Sequence, residues 1–261
     1  MKCIDIIKLL EELAPPSYAC GWDNPGLICG RKEKEIKKVL VALDATNSAI
    51  QKAVEEGADM ILTHHPMVFS AVKQINEDSF LGEKLLTLIE EKICCYAMHT
   101  NYDIAGGMAE ICGAKMELEG AEPFELTGEI EERPVGIGQV GYLPAKMSLK
   151  ECAEKVKKAF DLSEVLVFGD LEQTVHYAAI SPGSGRSMLK EADKKQVDVL
   201  ITGDIGHHEG LDSKDMGFAV IEAGHYGLEQ VFIGHLCEYL KEHAEGVEAV
   251  PFYEGMPYTV L

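Results

Sequence analysis

Histidine and carboxylate recur together in three short motifs: Thr63-His64-His65-Pro66, His99-Thr100-Asn101-Tyr102-Asp103 and Gly224-His225-Tyr226-Gly227-Leu228-Glu229. Each follows a short apolar run that reads as a strand. Open α/β sheets place their ligand sites in loops at strand C-terminal ends. Imidazole and carboxylate together suit Zn, Mn, Fe, Co or Ni at a hydrolytic centre. Glu229 lies four positions after His225, so a helix starting near residue 225 puts both on one face. That carboxylate could share an ion with the imidazole or bridge two ions. His64 and His65 are adjacent and their side chains diverge, so two neighbouring ions could take one each. Asp103 completes a set of five ligands: His64, His65, Asp103, His225 and Glu229. Five ligands on two divalent ions leave positions open for water and substrate, as in catalytic rather than structural sites.

Each motif has an ordinary alternative. A vicinal histidine pair in a loop is also common surface sequence. An imidazole and a carboxylate four apart also make a solvated helix face, and Asp103 could cap a helix over 104–111. The convergence of all three at strand ends favours the metal reading. Thr63, His99, Thr100 and Asn101 are candidates for hydrogen bonds that orient the ligands. His207 and His208, in Thr202-Gly203-Asp204-Ile205-Gly206-His207-His208-Glu209, are candidate catalytic acids or bases alongside Glu209. The alternative there is a capped helix start with exposed histidines. His176, His235 and His243 have no convergent partner in sequence. Gly183-Ser184-Gly185-Arg186-Ser187 could bind an anion but lacks the P-loop spacing and lysine, and no Gly-x-Ser-x-Gly elbow is present.

The elements that must position these residues read as α/β. Val39–Leu43 is a strand, Thr46 to Ser48 offer N-caps for a helix to about Glu56, and Asp59–Thr63 is the next strand. The same pattern recurs as a strand at 177–180, a turn at 181–185, a helix at 187–195 and a strand at 198–202. At an offset of 139 residues Thr202 falls on Thr63, Ser187 on Ser48, Ala192 on Ala53 and Asp198 on Asp59. Ile93–Met98 and Gly217–Ile221 then lead into the His99 and His225 motifs. This predicts two similar linked lobes, 1–125 and 126–261, with the C-terminal segment able to pack back on the first. The metal site would lie in the cleft between them. Residues 4–13 have helical spacing, 126–146 read as a strand pair, Ser148-Leu149-Lys150-Glu151 as a capping box opening a helix to about Phe160, and 227–244 as one long helix.

Composition narrows the function. The 261 residues are 46% hydrophobic and 26% charged, enough to bury a core. A net charge of −20 argues against general nucleic-acid binding, which needs a positive surface. It leaves room for a small phosphorylated substrate, because bound divalent ions reverse the local sign. No signal peptide or membrane-spanning run is evident, so a cytoplasmic location is expected. The eight cysteines have no Cys-x-x-Cys spacing and read as reduced thiols.

The motifs, with Gly21-Trp22-Asp23-Asn24-Pro25-Gly26-Leu27 at the start, resemble those of the Nif-three-like family. Bacterial members of that family are often named GTP cyclohydrolase 1 type 2 homologs. The resemblance runs nearly end to end and matches the short form, which has no extra domain inserted between the lobes. It implies two α/β lobes and a dinuclear site with His64, His65, Asp103, His225 and Glu229 as ligands, Glu229 bridging. It also implies a toroidal homohexamer built as a trimer of dimers. The name implies opening of the GTP imidazole ring to give formate and 7,8-dihydroneopterin triphosphate. The other reading is non-enzymatic: a metal-binding ring serving as metal chaperone or protein-interaction scaffold. Tyr102 stands where leucine is common in the family, and Leu228 where a small or hydroxylated residue is common. Neither is a ligand position.

Overall fold

The structure is a computed structural model and describes residues 1–260. In chain order the elements are α1 (Cys3–Leu13), β1 (Gly26–Cys29), β2 (Lys38–Ala42), α2 (Asn47–Glu55), β3 (Met60–Thr63), α3 (Phe80–Glu90), β4 (Cys94–Ala97) and α4 (Thr100–Ala105). Next come α5 (Met108–Lys115), β5 (Glu119–Ile130), β6 (Arg133–Ser148), α6 (Leu149–Phe160), β7 (Leu166–Phe168), β8 (Thr174–Ser184) and α7 (Leu189–Lys195). The chain ends with β9 (Val199–Gly203), α8 (His207–Met216), β10 (Ala219–Glu222), α9 (His225–Glu229), α10 (Val231–His243) and β11 (Glu248–Pro251). Two compact units result. The first comprises Met1–Gly106 with Phe232–Glu254, and the second comprises Gly107–Val231 with the residues from Gly255 on. Residues 107–125 thus belong with the second unit, and 232–254 with the first.

The first unit is built on a five-stranded sheet of order β1-β4-β3-β2-β11. β11, β2, β3 and β4 are parallel and β1 closes the edge antiparallel. Its central strands are buried on both faces, which is why Val39–Ala42 and Met60–Thr63 read as unbroken apolar runs. Leu40, Ala42, Ile61 and Cys95 share one face with Ala49, Ile50 and Ala53 of α2. Thr46 caps α2 by accepting from Ala49 N at 3.0 Å. Cys94 and Cys95 are both fully buried. Cys94 lies against Gly30 while Cys95 joins the α2 cluster, as strand neighbours on opposite faces must.

The second unit holds a six-stranded sheet of order β5-β6-β8-β9-β10-β7. β8, β9 and β10 are parallel, and β5, β6 and β7 pair antiparallel. Alternate residues face two separate cores. Ala178, Ile180, Val199, Ile201, Ala219 and Ile221 pack with α6 residues, and Ala179, Leu200 and Val220 with Leu189 and Ala192 of α7. Ser148 caps α6 in the expected reciprocal box with Glu151.

In each unit the aspartate before the middle parallel strand serves the same purpose. Asp59 Oδ2 accepts from Lys37 N and Lys38 N at 2.8 and 3.3 Å, and Asp198 Oδ2 accepts from His176 N and Tyr177 N at 2.8 Å each. A buried strand start leaves amides without a ladder partner, and the carboxylate satisfies them.

Three local expectations need correction. The expected turn at 181–185 is mostly the continuation of β8, which runs to Ser184 and carries a register shift between Ser181 and Ser184; a 3-10 turn starts only at Gly185. The bulge absorbs Gly183 without ending the strand. The single helix over 227–244 is two helices interrupted at Gln230, whose Nε2 donates to Gly227 O and Phe160 O. The alternative of one helix over 104–111 capped by Asp103 does not hold, because Asp103 sits inside α4 and α5 starts separately after Gly107, which has φ +101°.

Candidate metal centre

The first unit contributes His64, His65, His99 and Asp103. His64 and His65 follow β3 directly, and their amides both donate to Leu43 O, at 3.1 and 3.0 Å. That fixes the turn in which adjacent side chains diverge. Thr63 Oγ1 holds it further by donating to His65 O at 2.9 Å. His64 is fully buried, so the pair is not ordinary surface sequence. Asp103 lies in α4, one helical turn after His99, and its Oδ1 is 3.4 Å from His64 Nε2. One ligand atom from each of His64, His65 and His99 falls within 4.8 Å of the others.

The second unit contributes His225 and Glu229, which open and close α9. His225 Nε2 and Glu229 Oε2 are 3.0 Å apart, and Glu229 is 4% exposed, so this is not a solvated helix face. Glycine is required around them. A Cβ on Gly203 would lie 2.6 Å from His225 N, and one on Gly183, with φ +76°, would lie 2.5 Å from Glu229 Oε1.

Every one of these histidines is anchored through Nδ1. His64 Nδ1 donates to Met98 O at 2.8 Å, and His65 Nδ1 pairs with Asp44 Oδ1 at 2.9 Å. His99 Nδ1 pairs with Asp23 Oδ1 at 2.8 Å, and His225 Nδ1 with Asp204 Oδ2 at 2.7 Å. Such bonds fix the tautomer and present Nε2 as the ligating nitrogen, the arrangement of carboxylate–histidine–metal triads. The separations fit as well. Two donors at about 2.1 Å from one ion, between octahedral and tetrahedral angles, stand about 3.0–3.4 Å apart. The His64–Asp103 and His225–Glu229 pairs, at 3.4 and 3.0 Å, span that range. The donor set of each unit therefore fits a divalent cation.

Further carboxylates hold the frame. The Asp23 side chain is fully covered, and its Oδ2 accepts from Thr100 N and Oγ1 at the start of α4. Burial pushes its carboxyl up, but bonds from His99 and Thr100 outweigh this and bring it down to about 2. Asn101 Oδ1 accepts from His99 N, and its amide donates to Ala14 O. Glu222 is buried and its carboxyl is pushed up by burial, although it accepts from Asp204 N and Gly224 N on either side of His225.

Of the residues that sequence reading selected as orienting, Thr63 bonds the backbone of His65, whereas His99 and Thr100 bond Asp23 and Asn101 bonds His99 N. Sequence reading missed Asp23, Asp44, Asp204 and Glu222. Asp44 lies two residues past β2 and Asp204 one past β9, the strand-end placement already used to select the histidines. His207 and His208 are exposed at the start of α8, their rings 5.2 Å apart. The neighbouring Glu209 pairs with Arg186 at 2.8 Å. His235, without a partner in sequence, receives the Tyr102 hydroxyl at 2.6 Å, so the uncommon tyrosine is fully buried with its polar end engaged.

The fold, with its two mixed α/β sheets, recurs in known proteins. The model of the family described as Duf34/NIF3 (NGG1p interacting factor 3) matches residues 1–254. A Clostridium perfringens protein named GTP cyclohydrolase 1 type 2 homolog is 36% identical over 94% of this chain and 93% of its own length. NIF3-like protein 1 of Drosophila melanogaster is 30% identical over 92% of this chain and 82% of its own. Among solved structures, a Bacillus cereus protein related to NIF3 superposes with a TM-score of 0.93 at 22% identity, covering 100% of this chain and 99% of that one. Reduced HcgD from Methanocaldococcus jannaschii superposes with 0.83 at 30% identity, covering 96% and 97%. The chain belongs to the Duf34/NIF3 family. Among the described residues no helix is long and apolar enough to cross a membrane.

Proposed function

We propose that the chain is a hydrolase dependent on two divalent metal ions, with GTP as the first candidate substrate. His64, His65 and Asp103 of the first unit and His225 and Glu229 of the second would hold the ions. The chain would work as a homohexamer arranged as a trimer of dimers in the cytoplasm. The observation that carries this reading is the anchoring of each candidate histidine through Nδ1. A carboxylate or carbonyl on Nδ1 sets the tautomer that presents Nε2 to a cation. The relatives named GTP cyclohydrolase 1 type 2 homolog support GTP as the substrate to try first.

When bound, the cations supply Lewis acidity and bring the pKa of water toward neutrality. The chain's own residues do the rest. Asp44 and Asp204 hold His65 and His225 in one tautomer and orientation, Met98 O does so for His64, and Asp23 fixes His99 beside them. His207 or His208 moves a proton at its exposed ring nitrogen. On GTP, two waters added at C8 would open the imidazole ring and release C8 as formate, and closure of the freed amine on the rearranged ribose, with loss of one water, would give 7,8-dihydroneopterin triphosphate.

Metal content per chain, measured without chelators beside His65→Ala and Glu229→Ala, tests the centre. About two ions in the parent and fewer in both variants are expected. Release of formate from GTP tests the reaction, and a His207→Ala/His208→Ala variant should lose turnover while keeping its metal. The family's description by interaction with NGG1p favours one other reading, a metal-binding chaperone or scaffold. Full metal loading with no turnover on GTP or a panel of nucleotides and phosphoesters would decide for it.

A further inference from the structure

The first unit carries two exposed aromatic side chains that converge on one histidine of the candidate centre. Trp22 is 67% exposed and its ring centroid lies 5.9 Å from that of His99, at 73°. Phe69 is 52% exposed and lies 5.7 Å from the same ring, at 79°. His99 in turn lies 5.2 Å from His64 and 5.5 Å from His65. Scattered surface aromatics need no explanation. These two are not scattered, and the chain is built to hold them in place.

Trp22 sits at the tip of a turn closed by Asp23 N donating to Cys20 O at 2.9 Å. Both ends of that turn are pinned to α4. Cys20 N donates to Thr100 Oγ1 at 2.9 Å, and the buried Asp23 carboxylate takes Thr100 N and His99 Nδ1. Asn24, next in the chain, donates from Nδ2 to Val68 O at 2.6 Å and so ties the Trp22 turn to the Phe69 loop. A large indole kept in water on a turn fastened at both ends gains nothing for the fold. It does give a platform whose ordering cost is met before any ligand arrives.

We propose that Trp22 and Phe69 form a stacking platform for a planar heteroaromatic ring, of the purine or pterin kind, presented to the metal centre. The inference rests on the metal-centre reading above and adds the residues that would hold the substrate's ring. Flat nitrogen heterocycles stack on indole and phenyl faces, and each base so held is sensitive to removal of the aromatic. His99 separates the platform from His64 and His65, so a ring on the aromatics stands within reach of the centre while its substituents extend into solvent. An aliphatic or purely phosphorylated substrate would have no use for this feature.

The test uses the chain's single tryptophan as its own reporter. The full metal-loaded chain is titrated with GMP and, separately, with ribose 5-phosphate, while Trp22 emission is recorded. Saturable quenching by GMP and none by ribose 5-phosphate is expected. Phe69→Ala, which keeps the reporter, should weaken GMP binding about 5- to 150-fold, with metal content unchanged. Trp22→Phe should keep GMP binding by calorimetry, and Trp22→Ala should lose most of it. Full metal content with no GMP quenching, or Phe69→Ala binding GMP as the parent does, would overturn the inference and leave the metal centre standing. Emission that changes on protein dilution but not with GMP would also overturn it, marking the patch as a contact between copies. Absence of metal would instead strike the underlying reading, and it is read by elemental analysis alone.

Discussion

Gly183→Ala offers a sharp test of the second unit's donor pair, because a single methyl acts on it in two separable ways. The residue has φ +76°, where an alanine is strained by about 1–2 kcal/mol. Its Cβ would also stand 2.5 Å from Glu229 Oε1, whereas ordinary contact begins at 3.4 Å, so the carboxylate must retreat by about 0.9 Å. Glu229 is buried and is held beside His225 within one short helix, so the retreat cannot be absorbed by a swing into solvent. Metal–ligand distances tolerate only about 0.2 Å, so the shift removes Glu229 as a donor. Metal affinity should fall at least tenfold. Gly57→Ala is the control: φ is +62° and nothing lies within 4 Å, so it has only the backbone strain. Both variants should melt a few degrees lower without metal. Only Gly183→Ala should lose ions during dialysis against buffered zinc. If it retained them with the parent's affinity, Glu229 would not be a ligand and the second donor set would fail.

Three other outcomes follow from the same contacts. Asp44→Asn and Asp204→Asn should each weaken metal binding about 10- to 100-fold with little change in the apo melting curve, because they orient His65 and His225 without filling the core. Unchanged affinity in both would refute the anchoring argument. Asp59→Ala should cost about 0.5–1.5 kcal/mol, since two strand-start amides, one exposed and one half-buried, exchange its carboxylate for water. Burial pushes the Asp59 carboxyl up, but bonds from Lys37 N, Lys34 and Lys38 N hold it below its ordinary value. Its contribution is therefore fully present above about pH 4 and is lost as pH falls through the depressed value, so parent and variant should converge in stability in acid. A gap that widened on acidification would show the sign to be wrong. Ser148→Ala should cost about 1 kcal/mol by removing the cap of α6, read by chemical denaturation.

The sequence by itself carried the period of each element and the candidate donors. Apolar runs of β3, β9 and β10 announced strands buried on both faces, and the Ser148–Glu151 box fixed the start of α6 to the residue. Histidine and carboxylate types at strand ends marked the candidate ligands, because a cation's donors must come from a short list of side chains. Tertiary structure decided what lies between distant segments. A register shift in β8 depends on its partners β6 and β9, so 181–185 resembled a turn when read alone. The break at Gln230 depends on a carbonyl seventy residues away. The partners of His99, His65 and His225 are single aspartates 76, 21 and 21 residues distant, in a chain with 44 acidic side chains. Local pattern encodes which residues can ligate. Which carboxylate turns each imidazole is set by sheet order and by the packing of loops at the strand ends, and neither leaves a periodic trace in the sequence.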